Sequence, residues 1–166
     1  MSISQAFVQE LEQEAQTTRR LLERVPGDRL TWKPHAKSMS LGQLALHVAT
    51  TPGGVAQMAA QSSVQVPDFG QPEAKTSAEL LTALDEAVAT ATSTLEGLDD
   101  AAMGETWKAM DGDREVMAIP RVAVLRSIML NHWYHHRGQL SVYLRLLDVP
   151  VPSIYGPSAD ENPFSK

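Results

Sequence analysis

The chain has no cysteine among its 166 residues, which removes disulfide frameworks, iron–sulfur clusters and cysteine nucleophiles together. Any thiol chemistry must therefore use a thiol carried in by a ligand. The same absence matches a reducing compartment, and a cytoplasmic location is expected. No apolar run approaches the roughly 18 to 20 residues of a membrane span. The start, Met1-Ser2-Ile3-Ser4-Gln5, lacks the basic and apolar regions of a signal peptide, so no membrane partner is expected. Cations are also scarce. The 14 Lys and Arg face 20 Asp and Glu and are scattered, whereas nucleic-acid binding rewards clustered positive charge. A chain of this length can bury one core without cross-links, so one domain spanning residues 1–166 is predicted.

What is present is helical periodicity. Phe7, Leu11, Ala15, Thr18, Leu22 and Val25 recur at spacings of three and four, predicting a first helix from about Ser4 to Val25 that Pro26-Gly27-Asp28 stops. Ser40 with Gln43 forms a capping-box pattern ahead of a second helix. Pro52, followed by Gly53-Gly54, predicts a kink or break in it, because proline lacks the backbone donor and crowds the preceding turn. Pro67, Gly70 and Pro72 mark an exposed connection from Ser62 to Lys75. Thr76 with Glu79 caps a third helix, striped by Leu80, Leu84, Val88, Ala91, Leu95 and Leu98, with small Ala83, Ala87 and Thr94 open to a close neighbour.

Asp111-Gly112, flanked by Trp107 to Met110 and Glu115 to Ala118, predicts a small β-hairpin between helices three and four. Pro120 fits the first position of a fourth helix running to about Leu147. The predicted fold is all-α, a four-helix bundle with long connections.

That fourth helix carries Asn131-His132-Trp133-Tyr134-His135-His136-Arg137-Gly138-Gln139-Leu140. Residues i and i+4 stack on one helical face, so the imidazoles of His132 and His136 can converge on one ion. His47, alone on the apolar stretch Leu41 to Ala49, is the third candidate ligand. The residues by themselves leave this open against a satisfied histidine pair, with His135 as the rival third ligand. His135 lies about 100° around the helix from His136, which suits packing or a supporting contact. His35, in a proline-flanked connector, reads as a non-ligand. Gln139 can orient a ligand or a water, Tyr155 can fold over the pocket, and a close helix contact would explain Gly138. Arg137 reads as a solvated or salt-bridged side chain rather than a substrate clamp, and Trp133 and Tyr134 as packing or dimer contacts. The absence of Glu between the two histidines excludes the H-E-x-x-H metalloprotease helix.

The run from His132 to Leu140, the segment from Pro34 to His47 and the tail from Val149 to Glu161 together resemble the DinB-like (DinB/YfiT-like) superfamily. The resemblance implies a four-helix bundle, commonly homodimeric, holding a divalent metal (zinc, nickel or iron) on three histidines. Position by position these match His47, His132 and His136. It further implies a metal-dependent S-transferase acting on a small-molecule substrate with a low-molecular-weight thiol of the bacillithiol or mycothiol type as cosubstrate. The alternatives are a non-catalytic, stress-associated metal-binding or interaction bundle, and a metal-dependent hydrolase.

Overall fold

A computed structural model describes residues 1–68 and 70–165. The helices are α1 (Ile3–Leu22), α2 (Leu41–Ala60), α3 (Ser77–Glu96), the short α4 (Asp100–Gly104), α5 (Arg121–Val124) and α6 (His132–Leu146). Between α5 and α6 the helix widens into a π-helical segment, Leu125–Asn131. Three strands, β1 (Ser63–Gln65), β2 (Thr106–Asp111) and β3 (Arg114–Pro120), form one sheet in that order, β1 parallel and β3 antiparallel to β2. The all-α expectation is corrected to a mostly helical fold with a small mixed sheet. The hairpin forms around Gly112, whose φ of 59° suits glycine. β1 lies in the segment expected to be plain connection, because three residues beside Pro67 and Gly70 carry no periodic signal and their partners in β2 lie far along the chain.

The stripes bury as their spacing requires. Phe7, Leu11, Ala15, Thr18, Leu22 and Val25 are all buried, as are Leu80, Leu84, Ala91 and Leu95. Both predicted N-caps of the second and third helices are made: Ser40 accepts from Gln43 N at 3.1 Å and Thr76 from Glu79 N at 3.3 Å. The second box is incomplete, because the Glu79 side chain accepts from Lys75 N instead. Pro120 caps the helix rather than occupying its first position.

The break expected at Pro52 does not occur, since α2 runs unbroken to Ala60. The missing proline N–H would have gone to the Val48 carbonyl. That carbonyl instead accepts from the indole Nε1 of buried Trp133 at 2.7 Å. The end of α2 is tied in the same manner: Met58 O accepts from Trp107 Nε1 at 3.0 Å and Ala59 O from Arg121 Nε at 2.7 Å. Side chains from β2, α5 and α6 thus hold the helix that carries His47.

α2 packs closely on α3 through its glycine. A Cβ on Gly53 would lie 2.8 Å from Ala87 Cα and 2.9 Å from its carbonyl oxygen, backbone atoms that cannot swing aside. A Cβ on Gly54 would meet nothing within 4 Å. Opposite signs are therefore expected in urea denaturation. Gly53→Ala should destabilise by about 1 to 3 kcal/mol through overpacking, whereas Gly54→Ala should stabilise by about 0.4 to 1 kcal/mol. Equal effects from the two would contradict the close helix contact.

Candidate metal centre

α2 and α6 bring His47, His132 and His136 together. One ring nitrogen from each lies within 4.8 Å of the others, so the cluster can hold a metal ion. Ring centroids are 5.2 Å apart for His47 and His132, 4.5 Å for His47 and His136, and 4.4 Å for His132 and His136.

The rings are oriented by their surroundings. The π segment sends the His132 backbone N–H to Ser127 O, five residues back. His136 Nδ1–H donates to Gln139 Oε1 at 2.7 Å, and the Gln139 amide donates to His135 Nε2 at 3.0 Å. Nε2 of His132 and Nε2 of His136 then face each other at 2.7 Å. Because His136 donates through Nδ1, its Nε2 presents a lone pair towards His132, which either the Nε2–H of a neutral His132 or a cation can meet.

A charged imidazolium fits poorly. Burial holds all three imidazoles below their ordinary range, His47 to about 4, with the nearby His136 and His132 adding to the effect. The Ile128 carbonyl and Gln139 oppose this only in part at His132 and His136. Three neutral, preoriented imidazoles are the donor set that zinc, nickel or iron(II) accepts.

Two cavities meet at the cluster. One, of about 430 Å³, is bounded by Met39, Gln43, Gly70, Gln71 and Pro72, and the other, of about 510 Å³, runs beneath the sheet. His47, Thr50 and His132 border both. Thr50 was not among the expected site residues, although its position three residues after His47 puts it on the same helical face. The residues of the sheet carried no such signal.

Other candidates fall elsewhere. His135 is exposed and reaches the cluster through Gln139, and exposed His35 accepts from Lys37 N. Tyr155 does not cover the pocket. Its hydroxyl donates to Glu14 Oε2 at 2.9 Å and accepts from Arg137, because the tail packs against α1 and α6 where that buried ion pair offers partners. The expected close contact at Gly138 is absent, as a Cβ there would meet nothing within 4 Å.

Among the described residues, no helix is long and apolar enough to cross a membrane. No curated protein matches the sequence significantly. Solved structures do. A DinB-like protein from Bacillus cereus has 20% identity and a TM-score of 0.73, over 93% of this chain and 98% of that one. A DinB-like protein from Bacillus subtilis has 20% identity and a TM-score of 0.65, over 86% and 92%. A protein assigned to the DinB family from Exiguobacterium sibiricum has 18% identity and a TM-score of 0.58, over 93% and 96%. At these identities the likeness is one of fold. The DinB family model matches residues 1–163, nearly the whole length over which the helices assemble the histidine cluster, and the chain belongs to the DinB family.

Proposed function

We propose that the protein is a metal-dependent thiol S-transferase of the four-helix-bundle type, with His47, His132 and His136 as ligands. The observation that carries this is the donor set together with its surroundings: three neutral imidazoles border one cavity and two of them, His47 and His132, also border a second, and no carboxylate is among the described residues lining either. A divalent ion on these histidines supplies positive charge that favours a cosubstrate's thiolate over its thiol. The chain's own groups hold the site in register. Gln139 fixes the ring of His136, and His135 restrains Gln139.

In the transfer the sulfur bonds to an electrophilic carbon, the S–H proton passes to solvent, and the leaving group departs with its bonding pair. With no cysteine in the chain, the nucleophile arrives with the cosubstrate. A hydrolase would need a general base near the histidines, and the lining offers no carboxylate for it. The reading extends to a cytoplasmic homodimer. Val142 and Leu146, each 57% exposed on α6, are the side chains a second copy would cover.

The test pairs zinc-, nickel- or iron-loaded protein with bacillithiol, mycothiol or glutathione and with 1-chloro-2,4-dinitrobenzene. For at least one pair, arylation should run at least about tenfold above the chelated control and return to background in His136→Ala. No rate above the control for any pair would favour the non-catalytic metal-binding bundle, provided chelation still lowers the melting temperature.

A further inference from the structure

We infer that the cavity beneath the sheet is the binding lobe for the apolar portion of the electrophilic substrate, a neutral alkyl or aryl group whose single polar end meets the three histidines. This rests on the function proposed above. The lobe of about 510 Å³ falls in the size range of small-molecule sites. Its walls come from three directions: Val55 and Met58 on α2, Trp107 and Ala109 on β2, and Val124 and Ile128 from α5 and the π segment. No charged side chain is among its described lining residues.

Its few polar groups are already engaged. Thr50 Oγ1 donates to Leu46 O at 2.9 Å, Thr51 Oγ1 to His47 O at 2.6 Å, and the Trp107 indole N–H to Met58 O at 3.0 Å. Trp107 therefore offers a ring rather than a donor. The polar function left at the mouth is the pair His47 and His132. A guest with polar groups along its length would leave them unpaired in this lobe, whereas an apolar guest with one polar terminus matches it.

The cavity on the other side of the same histidines is less apolar, with Gln43, Gln71 and all three histidines in its lining, although the Gln43 amide already accepts from Ser40 N at 2.8 Å and donates to Gln71 O at 3.1 Å. The geometry thus separates two reactants by polarity. A hydrophilic thiol occupies the cavity that all three histidines border and the apolar electrophile lies beneath the sheet, their reacting ends meeting at the cluster. The sheet is accordingly a wall of the substrate site.

Two homologous series titrated calorimetrically into zinc-loaded protein test this: n-alkanols from butanol to decanol, and n-alkyl hydroxamates of the same tail lengths. Affinity should rise about fourfold per methylene in both series until the lobe is full. Gly54 borders the lobe and has open space at its Cβ, so Gly54→Phe places a ring there without disturbing α2. That variant should flatten both series while keeping wild-type metal content and wild-type affinity for acetohydroxamate. A flat alkanol series in wild-type protein, or a rise that persists unchanged in Gly54→Phe, overturns the lobe whatever the metal does. If the alkanol series rises and is flattened by Gly54→Phe, but hydroxamates bind no tighter than alkanols of equal tail length, the lobe stands and the metal-centred function falls.

Discussion

His136→Ala is expected to lower metal affinity by more than about 100-fold, beyond the 10- to 100-fold loss typical when only an outer hydrogen-bond partner is removed. The reason is geometric. His136 faces His132 at 2.7 Å through Nε2 while Gln139 holds its other nitrogen, so its removal takes away a donor and the preorganisation of the cluster together. His47→Ala should do the same from α2. His135→Ala should cost only about tenfold or less, since Gln139 still holds His136. Elemental analysis of untagged protein, with a competition titration for affinity, reads all three. Unchanged metal content in both His47→Ala and His136→Ala would refute the cluster as a metal site. Stability gives a second readout: a ligand that binds only the folded state at 100 times its Kd adds about 2.7 kcal/mol. The wild-type melting temperature should therefore respond to chelator, and that of His136→Ala should not.

Arg137→Met is expected to destabilise the fold by about 3 to 5 kcal/mol, the usual result of leaving one charge of a buried pair unpartnered. The Arg137 side chain is 1% exposed and meets Glu14, 10% exposed, at 2.6 Å. The same guanidinium donates to Glu14 O and Thr18 Oγ1, each at 3.2 Å, and to the Tyr155 hydroxyl, and it lies over the rings of Tyr134 and Tyr155. This network ties α1, α6 and the C-terminal tail to the residue next to His136. The double variant Arg137→Met/Glu14→Met should recover most of the loss, because no lone charge remains. Urea denaturation of the two variants decides the matter. A loss under about 1 kcal/mol for Arg137→Met would mean that Glu14 finds water in its place.

Much of the cluster was legible because its signal is local. The i, i+4 spacing of His132 and His136 specifies a shared helical face wherever a helix forms, and the capping pattern at Ser40 places the start of α2 and so the face that His47 occupies. Arg137 was legible as a salt-bridged residue but not as a buried one, since its partner Glu14 lies on a helix whose packing angle no spacing encodes. Pro52 misled for the same reason. Proline removes a donor locally, but whether a break follows depends on a replacement donor, and Trp133 lies far along the chain.

By itself the sequence determined the helical stripes, the caps, the hairpin turn, the exclusion of internal thiol chemistry and the shared face of His132 and His136, with His47 matched as the third histidine through the family resemblance. These are set by side-chain type and by a periodicity of a few residues. Only the tertiary structure decided that α2 continues through Pro52, that a π turn precedes His132, that Tyr155 turns away from the pocket and that a sheet completes an apolar lobe beside the cluster. Each of these depends on a hydrogen-bond partner or a packed surface supplied by a distant segment, which burial creates and local spacing cannot specify.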